Sequence, residues 1–125
     1  DFAWNGRNEF ANSNGLNNEE IFNKLYAGKE IADPSENFTA DFILKAYSKW
    51  WPLGTAIGFT DADSGIIYTK WHFIKQADIK ELAAHYAHEY CHCIGFEHDY
   101  NDTEQRPFSV PYAIGEIVEN IIEKM

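Results

Sequence analysis

The residues best equipped for chemistry fall in one stretch, His88-Glu89-Tyr90-Cys91-His92-Cys93-Ile94-Gly95-Phe96-Glu97-His98-Asp99. Positions four apart on an α-helix differ by about 40° in angle and about 6 Å in rise. On a helix, His88 and His92 therefore project from one face and can share an ion at the ~2.0–2.1 Å of a zinc–nitrogen bond. Glu89 stands about 100° round the axis from His88, close to such an ion without displacing a ligand. Gly95 permits the sharp turn that would return His98 to the ion as a third ligand.

Three neutral imidazoles leave a fourth position for water, the arrangement of a catalytic zinc site. Zinc lowers the pKa of that water toward ~7 and polarises a carbonyl. Glu89 is the expected general base, taking a proton and passing it to a leaving amine. The expected protein is a small zinc peptidase with one catalytic ion. Chance is a poor rival: in shuffled chains of this composition the full His-Glu-x-x-His-x-x-Gly-x-x-His pattern is expected about 2 × 10⁻⁵ times. A closed zinc site using a thiolate would leave Glu89 without a purpose. Cys91 and Cys93, about 200° apart on a helix, could not bridge each other, and are expected to fill core.

These residues need elements to position them. Asp78 caps a helix expected over residues 79–94, with Leu82, Ala83, Tyr86, Ala87 and Tyr90 as its apolar stripe and Gly95 as its stop. Residues 112–124 read as a last helix, with Ile114, Ile117, Val118, Ile121 and Ile122 on one side. An earlier helix starts at Asn18-Glu19-Glu20-Ile21 and stops near Gly28. Strands are expected within 39–50, over 55–60 and over 66–73, the last two joined as a hairpin by Asp61-Ala62-Asp63-Ser64-Gly65. Asp33-Pro34-Ser35 is a turn. The Asn-rich segment 1–18 should be irregular but packed, through Phe2, Trp4, Phe10 and Leu16. The order of elements defines an α+β domain.

The length of 125 residues fits one domain over 1–125. With 10 Lys+Arg against 20 Asp+Glu the net charge is −10, a surface that repels nucleic acid and anionic membranes. Cationic or neutral partners are favoured, and no apolar run approaches the ~18 residues of a membrane span. A monomer acting on a peptide or protein is the expectation. Asp1 in place of Met suggests a processed or trimmed chain, so a missing leader says nothing of secretion.

The motif resembles that of the metzincin clan of zinc peptidases, its terminal His-Asp being most like the adamalysin type. The resemblance implies an endopeptidase whose substrate lies antiparallel to an edge strand, here 55–60. It also implies a Met-turn after the third His. This chain departs there: its one Met is Met125, and the corresponding Ser109-Val110-Pro111-Tyr112 carries Val or Pro instead. Tyr112 could approach the metal and donate a hydrogen bond to a tetrahedral oxyanion. A gluzincin-type alternative would take Glu116 or Glu119 as third ligand, but the Gly95/His98 pair disfavours it. Two other functions share the metal site: a catalytically silent zinc-binding module, and a zinc hydrolase of a non-peptide amide.

Weaker signals remain. His85 shares the helical face of His88 and His92 and is expected as a partly exposed residue at its edge. Asp99 is expected to accept a backbone or ring N–H and fix the loop carrying His98. Asp61-x-Asp63-x-Gly65 lacks the closing acid of a calcium loop and reads as a turn. Asn37-Phe38-Thr39 and Asn101-Asp102-Thr103 match a glycosylation pattern that is common by chance.

Overall fold

Reciprocal capping pairs start two of the helices that frame the core. In the computed structural model, which describes residues 9–48 and 57–125, helix α1 (Asn18–Ala27) begins behind Asn17. The Asn17 side chain accepts from the Glu20 amide, and Glu20 reaches back to the Asn17 amide. The cap is Asn17, because only the residue three before Glu20 completes the pair. Gly28 ends α1 in the left-handed conformation, φ 68°.

Strands β1 (Ile43–Tyr47), β2 (Gly58–Asp61) and β3 (Ile66–Lys70) form a mixed sheet in the order β1-β3-β2. The expected hairpin is present: β2 runs antiparallel to β3, Thr60 opposite Ile67. Residues 55 and 56 of the expected strand lie outside the described residues. Strand β1 joins the other side of β3 in parallel. The third strand stops at Lys70, short of the expected 73, and helix α2 (Trp71–Gln76) follows at once. The bulky run Trp71-His72-Phe73-Ile74 has no alternation, and periodicity alone cannot tell such a run from a helical turn.

Helix α3 (Ile79–Cys93) opens on a second capping pair, Asp78 with Glu81. A 3₁₀ turn (Arg106–Phe108) leads into α4 (Val110–Glu123). This last helix starts two residues before the expected 112. Pro111 sits in its first turn, where a missing N–H costs nothing. Four helices with a three-stranded mixed sheet make the fold α+β, as expected.

The core lies where α1, α3, α4 and β3 meet, and comprises Ile21, Ile67, Tyr90, Cys91, Cys93, Ile94, Phe96 and Val110. Both cysteines are free and fully buried, consistent with a filling role. Helix α3 packs most extensively on α4. Gly115 allows the close approach: a Cβ there would stand 2.9 Å from the Ala84 carbonyl oxygen and 3.4 Å from Cβ of His88. Phe10 and Leu16 pack on the core, and Ala11 bridges to Ser109, so the described part of the N-terminal segment is packed although irregular. Phe2 and Trp4 lie outside the described residues.

Candidate metal centre

The end of α3 shows how the sequence brings a third imidazole to a pair already on one helix face. The Gly95 amide donates to the His92 carbonyl (3.1 Å) and the Phe96 amide to the Cys91 carbonyl (2.9 Å). This paired closure needs a left-handed residue, and Gly95 supplies it at φ 100°. Phe96 is then driven into the core, fully buried. Burying such a side chain is worth about 1.5–3 kcal/mol. The chain reverses and presents His98 to the α3 face.

His88, His92 and His98 converge. Their ligating nitrogens all lie within 4.8 Å of one another, close enough to hold a metal ion. The ring centroids are 5.2 Å apart for His88–His92, 5.2 Å for His88–His98 and 5.0 Å for His92–His98. Backbone carbonyls orient two of the rings. His92 Nδ1 lies 2.7 Å from the Phe96 oxygen and His98 Nδ1 lies 3.0 Å from the Asp99 oxygen. A carbonyl only accepts, so each Nδ1 donates, and Nε2 is the ring nitrogen left to serve as a ligand. Glu97 adds a carboxylate 3.5 Å from His92 Nδ1. Burial, with His92 and His98 beside it, pushes the His88 imidazole down to about 3, and burial lowers His98 as well. Three convergent imidazoles, two of them oriented by carbonyls, fit a divalent cation. Cys91, Cys93, Glu116 and Glu119 are outside the group, and burial pushes both thiols up.

Glu89 is 6% exposed on the same helix. Its Oε2 accepts the hydroxyl proton of Thr60, on edge strand β2. Burial raises the Glu89 carboxyl above the usual carboxylate range, while the Thr60 hydrogen bond and the His92 imidazole pull it back. Thr60 could not be found in the sequence: it lies 29 residues from Glu89, and only the packing of β2 on α3 joins them.

Tyr112 lies against the cluster. Its ring centroid is 4.4 Å from that of His88 and 4.8 Å from that of His98. The Arg106 guanidinium carbon sits 4.9 Å from the Tyr112 centroid. Val110 and Pro111, where the resemblance implied a Met-turn, are buried in the first turn of α4, and Met125 is exposed at the chain end.

Two expectations need correction. His85 is buried, 8% exposed, and not at an exposed edge. Strand β3 packs over it, its Nε2 lies 2.8 Å from the Thr69 hydroxyl, and it is not one of the three clustered histidines. Asp99 does tie the loop, but its side chain takes the Thr103 hydroxyl and the Asn12 amide (3.4 Å), not a backbone or ring N–H. The His98 ring is satisfied by the Asp99 main chain instead. Asn14 Nδ2 donates to the Gly95 carbonyl (3.1 Å), so the N-terminal segment holds both ends of the returning loop. The segment Asp61–Gly65 is a turn, with the Gly65 amide on the Ala62 carbonyl.

Compared with protein-family models, curated proteins and solved structures, the chain matches none.

Proposed function

We propose that this chain is a zinc-dependent endopeptidase of metzincin-like build, with His88, His92 and His98 as ligands and Glu89 as general base. The observation that carries the reading is the convergence of three ligating nitrogens within 4.8 Å of one another, with a buried carboxylate on the next residue of the same helix. Zinc held by three nitrogens has an open position and supplies Lewis acidity toward water and a carbonyl oxygen. Glu89 takes the proton of the attacking water as the water oxygen adds to the carbonyl carbon. It delivers that proton to the amine as the C–N bond breaks. Thr60 holds the carboxylate in one orientation. Tyr112, partly exposed and packed on His88 and His98, donates its hydroxyl to the developing oxyanion. The outer edge of β2, unpaired among the described residues, offers backbone groups to an extended peptide.

The test couples zinc analysis to digestion of a mixed peptide library, with and without chelator. One zinc per chain and chelator-sensitive cleavage of internal bonds are expected. Bound zinc without cleavage would leave a silent binding module, and cleavage of only non-peptide amides would leave the amide-hydrolase alternative.

A further inference from the structure

Arg106 stands out in a chain with a net charge of −10. Among the described residues, its guanidinium has no ion-pair or hydrogen-bond partner, and its Nε is buried without an acceptor. Of the acids near it in sequence, Glu97 faces His92, Asp99 takes Thr103 and Asn12, and the exposed Asp102 and Glu104 make no ion pair with it. The residue is also firmly placed. Its amide donates to the Thr103 carbonyl, and its carbonyl accepts from the amide and hydroxyl of Ser109. The guanidinium lies over the Tyr112 ring, which in turn lies on His88 and His98. A cation is therefore held one aromatic ring away from the metal ligands.

We infer that Arg106 recognises a substrate carboxylate, so that the enzyme prefers peptides bearing an acidic side chain or a free C-terminal carboxylate beside the scissile bond. The inference rests on the peptidase reading above. A guanidinium is a planar fork of N–H donors that matches a carboxylate with two parallel hydrogen bonds. Stacking on Tyr112 occupies a face of that fork and leaves the terminal Nη donors at its edge for a ligand. The overall acidity of the chain points to cationic partners, but it acts over distances where salt screens it, roughly beyond 8–10 Å. A contact with Arg106 is short and partly desolvated, so the local charge decides preference.

The test uses the full zinc-loaded chain and one peptide scaffold in matched versions. Glu, Gln or Lys stands beside the cleaved bond in amidated peptides, and a further pair ends just beyond that bond as acid or amide. A carboxylate should raise kcat/KM about tenfold over its neutral counterpart, mostly through KM. Lys should be poorest. The Glu and C-terminal arms show which carboxylate is read. In Arg106→Gln the acid-to-neutral ratio should collapse toward one, and Arg106→Lys should restore part of it. An Arg106 that only supported Tyr112 would, when replaced, slow all peptides alike and leave the ratio intact. That result, or equal rates on Glu, Gln and Lys peptides with the unaltered chain, would overturn the inference and leave the peptidase reading standing. If no peptide is cleaved, the peptidase reading fails, and the Arg106 Nε–H resonance in NMR titrations decides this one. It should move with the carboxylate peptides and not with their neutral partners. A resonance indifferent to both would sink carboxylate recognition.

Discussion

Thr60 and Glu89 meet across the edge of the sheet: the Thr60 hydroxyl donates to the Glu89 carboxylate and lies 3.3 Å from the Glu89 carbonyl oxygen. A carboxylate on a helix surface has rotamer freedom, and one charged hydrogen bond selects a single orientation. Thr60→Val should therefore retain zinc and lose about tenfold in kcat, while Thr60→Ser should keep most activity. Kinetics with metal analysis on both variants checks this. Equal rates for Val and Thr at position 60 would remove the positioning role.

Glu89 itself should separate binding from turnover. It is not one of the three clustered histidines, so Glu89→Ala should bind zinc normally and lose about 10²–10⁴ in turnover. Full activity in that variant would end the general-base assignment.

The closure at Gly95 brings the third imidazole, His98, to the cluster. His98→Ala should weaken zinc affinity by orders of magnitude, read by competition with a chromogenic chelator. An affinity equal to that of the unaltered chain would exclude His98 from the metal and reopen the case for Glu116 or Glu119.

Gly115 keeps α4 against the helix that carries His88 and His92. A Cβ at this position meets backbone, the Ala84 carbonyl at 2.9 Å, which cannot swing aside as a side chain could. Gly115→Val should destabilise the fold by about 1–3 kcal/mol and shift His88. Denaturant unfolding and zinc affinity measure the two effects. A variant as stable as the parent would show that the helices have room to part.

His85 gives the fold a sensitivity to acid. Burial pushes its imidazole down to about 4 from the ordinary 6.5. Below pH 6.5 the unfolded chain takes up a proton that the folded chain refuses, so stability falls as pH drops from about 6.5 to about 4 and is unaffected above that window. With metal removed by chelator, His85→Gln should show a shallower loss over the same window than the parent. Parallel stability–pH curves for the two would contradict this.

The stretch from His88 to Asp99 makes the three-histidine group legible from the sequence alone. That was possible because helical geometry makes a four-residue spacing a spatial statement: two imidazoles on one face follow from 3.6 residues per turn. Gly95 was legible for a related reason, since a left-handed position tolerates few other residues. The hairpin, the capped helix and the apolar stripe of the last helix are likewise local patterns. What local pattern cannot carry is the meeting of distant segments. Nothing in the order of residues tells that Thr60 reaches Glu89, that Thr69 covers His85, that Asn14 ties the loop of His98, or that Arg106 lies over Tyr112. Those relationships came from the packing of β2 and β3 on α3 and of α4 beside it, where burial of shared apolar surface, and not spacing along the chain, chose the neighbours.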